Sequence, residues 1–334
     1  MHRKEKIKPM KKKMSSLGIS IFSAMLITFI FLSNAGASAD AFIKGALICA
    51  KNVVPSLFPL MIASDLIGKA SAKKSSALLL LSMGWTFGFP ICVIGGSRLL
   101  KEKRINNDVY DILICVGGIP SIGFFLGFCR DTFGTKQAIA LYLTAVASAA
   151  ICGSVLYCGK GVKKRHIQVR TDENNSISVI ETVSESMKSS SIRCLNVVAC
   201  VAFFYMLSAR ITENISNDTL KAIVFGILEF SGGCSICAGM DKKTGYVICS
   251  AILSFSGISA YIQIASAQRS YGILPSPKKY FSAKTFQSAL SITLSVATVC
   301  GSVKTRAVIF AVVIFFIVLF YLSQRINKKI LKKA

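Results

Sequence analysis

Ten apolar stretches separated by short polar segments make up most of this 334-residue chain. They run Leu17–Asn34, Phe42–Ile67, Ser76–Leu100, Val109–Phe128 and Gln137–Tyr157, then Met187–Ile211, Leu220–Gly239, Tyr246–Gln268, Phe286–Val303 and Ala307–Ser323. Most reach the roughly 20 residues that a helix needs to cross a bilayer. The pattern predicts an all-α polytopic membrane protein with little chain left for an aqueous domain. One stretch departs from it. Leu228–Gly239 reads LEFSGGCSICAG, with an acid, Glu229, beside the paired glycines Gly232 and Gly233. A charge at membrane depth costs about 2.5–3.5 kcal/mol on insertion scales and usually faces a protein interior or a wet cavity. Irregular backbone is tolerated there only under the same cover. The segment therefore marks a site inside the protein.

The polar segment 159–186 divides the chain into two halves of similar order, 42–158 and 187–268. Asn52–Ile67 reads NVVPSLFPLMIASDLI and Asn196–Ile211 reads NVVACVAFFYMLSARI, identical at Asn52/Asn196, Val53/Val197, Val54/Val198, Ser64/Ser208 and Ile67/Ile211. In each half a glycine-interrupted stretch follows, then a second glycine break. These are FGFPICVIGG (Phe87–Gly96) and CVGGIPSIG (Cys115–Gly123) in the first half, and LEFSGG (Leu228–Gly233) and LSFSGISAYIQ (Leu253–Gln263) in the second. Pro90 removes a backbone donor in the first of them. Gly118-Ile119-Pro120 corresponds to Gly257-Ile258-Ser259, and the counterpart of Glu229 is Gly88. Paired broken segments in two halves point to a transporter-like site.

Charge sets the topology. The net charge is +25, and seven Lys/Arg fall in the first thirteen residues. Others cluster at Lys69–Lys74, Lys101–Arg104, Lys160–Arg170, Lys278–Lys284 and Lys328–Lys333. Basic residues that flank apolar spans follow the positive-inside rule, with attraction to anionic membrane lipids as a consequence. If Ser76–Leu100 and Leu220–Gly239 are re-entrant hairpins, these clusters fall inside, both termini are cytoplasmic and the two halves are inverted. The chain then makes about eight crossings with two hairpins. Ten full crossings would expose Lys101–Arg104 and the basic linker outside, so the hairpins are favoured. Segment 1–41 is basic, then apolar, and ends in small residues like a signal peptide; its long apolar core favours an uncleaved first helix. Segment 269–334 holds a basic loop, the last spans and a basic tail.

Composition excludes several classes. Hydrophobic residues are 53% of the chain, charged residues 16%, and mean hydropathy is +0.59, which argues against a soluble enzyme. No folded soluble domain carries a basic patch for nucleic acid. The twelve cysteines lie mostly within apolar spans and read as small buried hydrophobes. Cys234 and Cys237 form a CxxC without a second pair at zinc spacing, and neither a P-loop nor a nucleophile–base pair is present. No catalytic residues, metal or cofactor are expected.

The candidate substrate-binding residues are Glu229, Ser231, Gly232, Gly233, Ser256, Gln263, Gly88 and Pro90. Glu229 can accept hydrogen bonds from a polar solute, bind a cation or take up a proton. Ser231 adds a hydroxyl beside it. Gln263, with Ser254, Ser256 and Ser259, adds neutral polar groups in a broken helix. Each has a structural reading beside the functional one: Glu229 as a satisfied interhelical acid, the serines and amide as helix-packing groups. Asp65, Arg193 and Arg210 lie near span ends and reach toward the interface.

The segments VVPSLFPL (Val53–Leu60), GFPICVIGGSRLL (Gly88–Leu100), LEFSGG (Leu228–Gly233) and LSFSGISAYIQ (Leu253–Gln263) resemble the sporulation integral membrane proteins of the YlbJ type, in the nucleoside-recognition or Gate family. The resemblance spans about Phe42 to Gln268. Where that family commonly shows an Asn-Pro element, this chain reads GGIPSIGFF, Gly117 to Phe125. The resemblance implies a fold like the core of concentrative nucleoside transporters, and a role in spore cortex formation at a membrane of the developing spore. The expected function is permease-like movement of a small polar solute or ion. The alternative is a non-transporting scaffold that partners other sporulation membrane proteins.

Overall fold

A computed structural model describes residues 3–70, 76–88, 90–160 and 179–299, with residues 314 and 318 isolated beyond them. The middle of the polar linker, Lys73, Lys74, Phe89, the rest of the stretch Ala307–Ser323 and the C-terminal lysines lie outside the described residues. Every regular element among the described residues is a helix. Five helical stretches are long and apolar enough to cross a membrane: Ala35–Ile67, Asn107–Phe133, Thr135–Cys158, Ile180–Ile211 and Lys242–Ser270. This is the composition of a membrane-embedded protein.

The first half opens with α1 (Arg3–Leu32), whose Phe22, Met25 and Phe29 are exposed. Next come α2 (Ala35–Ile48), a π-helical turn (Cys49–Val53) and α3 (Val54–Ala70). The π turn has a local cause. Pro55 and Pro59 have no N–H to offer the carbonyls one turn back, so the ladder loosens just before them. Two short helices follow, α4 (Ala77–Phe87) and α5 (Pro90–Lys101), and then α6 (Asn107–Gly117) and the single turn α7 (Ile122–Phe124). A second π turn, α8 (Arg130–Phe133) and the long α9 (Thr135–Lys160) complete this half.

The second half begins with α10 (Val179–Ile211), which packs along α2 and α3. It starts eight residues before the expected span, because its first turns are tied down. Glu185 pairs with Lys69 at 3.3 Å, and the buried Ser186 accepts from the same ammonium at 3.2 Å. Then come α11 (Asp218–Leu228), α12 (Phe230–Cys237), α13 (Lys242–Phe255) and α14 (Gly257–Ser270). Finally α15 (Pro277–Val299) packs against α13, α9 and α6. Of the cysteines among the described residues, only Cys158 is exposed.

Both short helix pairs fold back on themselves. In α4 and α5, Gly84 abuts Cys92 and Gly95 abuts Leu80, so the helices run antiparallel. In α11 and α12, Gly232 abuts Phe225, and a Cβ on Gly233 would lie 2.6 Å from the Cα of Gly226. That pair packs closely too. Small residues at these contacts let the backbones approach, as in helix pairs packed within lipid.

Candidate functional site

Four of the breaks between helices meet. The turn between α4 and α5 is at Gly88, which is buried with φ of +101°, a conformation open to glycine. A Cβ on Gly88 would lie 3.5 Å from the amide nitrogen of Ser121, at the break between α6 and α7. The turn between α11 and α12 is at Glu229. It lies against Gly257, at the break between α13 and α14. A Cβ on Gly257 would sit 3.3 Å from the Gly226 oxygen and the Phe230 nitrogen. The two central breaks meet each other through Ser256, whose hydroxyl donates to the Gly118 carbonyl at 2.7 Å.

Broken helices leave carbonyls without intrahelical partners, and burial requires that something else satisfy them. The end of α6 shows how. The Trp85 indole N–H donates to the Val116 oxygen at 3.0 Å. Ile119 N–H donates to the Gly117 oxygen at 3.1 Å across Gly118, whose φ of −84° and ψ of 63° make an inverse γ-turn. The Gly118 oxygen then accepts from both the Ser256 hydroxyl and the Lys284 ammonium. In the other break Ser256 itself takes φ of 71°, and Gly257 follows at +78°. A left-handed serine costs of order 1–2 kcal/mol; its hydroxyl, which donates to the Gly118 oxygen with the Leu253 oxygen as a more distant second acceptor at 3.3 Å, holds it there.

Glu229 is fully buried and does two jobs at once. Its backbone ends α11 and begins α12. One carboxylate oxygen, Oε2, accepts from Gly232 N–H and from the Ser231 hydroxyl, each at 2.7 Å. That is an N-cap, strengthened because a carboxylate suits the positive end of a helix. The other oxygen, Oε1, is buried without a hydrogen-bond partner among the described residues. The same holds for Ser254 Oγ, Ser259 Oγ and Gln263 Oε1. Cys200 ties three of these residues to one neighbourhood. Its thiol donates to the Ser259 carbonyl at 3.4 Å, meets the Gln263 side chain, and lies within electrostatic reach of Glu229. Buried polar atoms are nearly always paired, so a group of orphans requires an explanation.

The predicted residues thus divide. Glu229, Ser256 and Gly88 stand at the breaks, and Gln263 lies further along α14, against Cys200. Ser231 and the Gly232 amide spend their hydrogen bonds on Glu229, and Gly233 serves the packing of α12 on α11. Pro90 opens α5 two residues after Gly88. Asp65 and Arg193 face each other at 3.9 Å and line a cavity of about 200 Å³ with Lys69 and Arg98.

Sequence reasoning missed the α15 side of the centre. Lys284, grouped with the flanking basic residues, is 0% exposed and reaches the Gly118 carbonyl. Gln287, also fully buried, accepts from it at 3.1 Å and donates to the Ala145 oxygen at 3.5 Å. A legible signal existed. Tyr280, Lys284, Gln287, Ser291 and Ser295 recur at three- and four-residue spacing, so they share one helix face, and all are buried.

Among the described residues, no group of three or more His, Cys, Asp or Glu side chains is arranged to hold a metal ion. Comparison with known proteins finds no matching family model, no matching curated protein and no matching solved structure.

Proposed function

We propose that this chain is a permease-like integral membrane protein that binds a small polar solute or ion where the four helix breaks meet. The observation that carries the reading is the set of orphaned buried polar atoms around the second break, led by Glu229 Oε1. Two of them, on Glu229 and Gln263, are acceptors, and the serine hydroxyls can turn to either role. The complementary ligand therefore presents hydrogen-bond donors or a positive charge. In this reading the pairs α4/α5 and α11/α12 are re-entrant hairpins that enter from opposite faces, and the two halves are inverted repeats. Both termini are cytoplasmic. The resemblance to sporulation membrane proteins supports a place in a membrane of the developing spore, with other proteins of that membrane as partners.

The test is uptake into proteoliposomes across a panel of polyols, nucleosides, amides and small cations. Wild-type protein should move at least one of them, and Glu229→Gln should lower the rate at least tenfold at equal folded yield. Uptake that is unchanged by Glu229→Gln, or absent across the whole panel, would remove the reading. Absence would leave the scaffold reading in place.

A further inference from the structure

The ammonium of Lys284 sits where a cation site is expected. The last carbonyls of a helix carry partial negative charge, and the carbonyl ends of interrupted helices are where membrane proteins coordinate cations. The break after α6 presents such an end, and its Gly118 oxygen points at Lys284 Nζ. Gln287 Oε1 supplies a second oxygen at 3.1 Å, and the Tyr280 ring lies 5.8 Å away on another side. Gln287 is held in place by its own bond to the Ala145 oxygen. The titratable groups that face the ammonium are Cys92 on α5, Cys115 on α6, Cys152 on α9 and Tyr280 on α15. Among the described residues, none of the groups facing it is a carboxylate. This is not an ion pair. A fully buried cation is held by amide oxygens, a helix end and a ring face, the ligand chemistry of a monovalent ion site.

We propose that Lys284 is a tethered cation: it fills the cation site at the broken end of α6, so the central breaks need no free metal ion there. Its ammonium and the Ser256 hydroxyl together satisfy one carbonyl and thereby couple α15 to both halves of the molecule. The inference stands apart from transport, since it concerns what holds the breaks together.

The experiment is thermal unfolding of the purified full-length protein in detergent, at fixed ionic strength, in choline, sodium, potassium or ammonium chloride. Wild type should melt at the same temperature in all four. Lys284→Ala should lose roughly 5 °C or more in choline and regain at least half of that loss in one of the small cations, which can enter the vacated space. Lys284→Met keeps the bulk of the stem without the charge; it should melt lower than wild type and regain nothing. If Lys284→Ala yields no folded protein in choline, its yield on extraction in ammonium chloride reads the same question. A Lys284→Met protein as stable as wild type would overturn the proposal. So would a Lys284→Ala protein indifferent to every small cation, or a wild type that sodium stabilises by a comparable amount. Failed uptake in proteoliposomes with cation rescue intact would count against the permease and leave the tethered cation standing.

Discussion

The two helix pairs, α4/α5 and α11/α12, share an architecture and differ in chemistry. Each packs its two helices closely, and each has a non-helical residue at its turn that rests on a broken helix. In the first the turn is Gly88, with φ of +101° and no side chain. In the second it is Glu229, extended at φ of −142°, whose carboxylate caps the next helix and leaves one oxygen open. The first half gains its charge from elsewhere, because Lys284 comes in from α15 to the break beneath Gly88. One turn carries a built-in acid, while the opposite break receives a lysine from a different helix. The two pairs thus share a scaffold, and Glu229 and Lys284 supply the asymmetry.

The largest expected effect separates how tightly the two pairs are closed. A methyl on Gly233 meets the Gly226 backbone at 2.6 and 2.7 Å, which cannot rotate away. Gly233→Ala should destabilise the protein by about 3 kcal/mol, the upper part of the usual range for overpacking. At Gly84 the obstacle is the Cys92 thiol, a side chain that can be shortened. Gly84→Ala should be rescued by adding Cys92→Ala, whereas no side-chain truncation should rescue Gly233→Ala. Thermal melts of the three variants check this, and equal rescue in both pairs would erase the distinction.

A smaller effect concerns the joint between the breaks. Ser256→Ala removes the hydroxyl from the Gly118 carbonyl and keeps the left-handed backbone; it should cost about 1 kcal/mol. Ser256→Gly loses the same bond and relieves the backbone, so it should melt higher than Ser256→Ala. A Gly variant less stable than the Ala variant would contradict the observed φ.

For Glu229 the stability cost is the cap, about 1 kcal/mol for Glu229→Ala. Its effect on uptake should be much greater than its effect on melting. That split between stability and flux separates the acid with an open oxygen from an acid that only caps.

The smallest effect lies outside the spans. Lys279 donates to Asp111 at 2.6 Å, and this hydrogen bond holds its ammonium above the ordinary lysine range. A raised basic group stabilises the fold fully below its unfolded pKa, about 10.4, and loses that contribution as pH rises through the folded value. Lys279 is 59% exposed, so the contribution is a few tenths of a kcal/mol. Wild type and Asp111→Asn should therefore differ slightly at pH 8 and converge in strong alkali. A difference that grows with pH would have the wrong sign.

Much of this centre was legible in the sequence. Glycine or proline inside apolar stretches marked Gly88, Gly118, Gly232 and Gly257, and an acid at membrane depth marked Glu229. What could not be read was the pairing. Ser256 meets Gly118 across 138 positions, and Lys284 meets it across 166. No local periodicity encodes such contacts. Lys284 was hidden further by its neighbours, since Lys278 and Lys279 fit the positive-inside pattern and drew the third lysine into it. Only the helix phase of α15, with Tyr280, Gln287, Ser291 and Ser295 on the same face, distinguishes a buried lysine from a flanking one. The early start of α10 was likewise a tertiary effect, set by Lys69 on a different helix.

The proposed function has the two helix pairs enter from opposite faces of the membrane. Side-specific thiol labelling tests it directly. In protein with Cys158 and Cys300 replaced by serine, Lys103→Cys reports the side to which α5 returns, and Lys242→Cys the side to which α12 returns. Membrane-impermeant maleimide should label Lys103→Cys only from the cytoplasmic face and Lys242→Cys only from the opposite face. Labelling of both from one face would contradict the inverted arrangement.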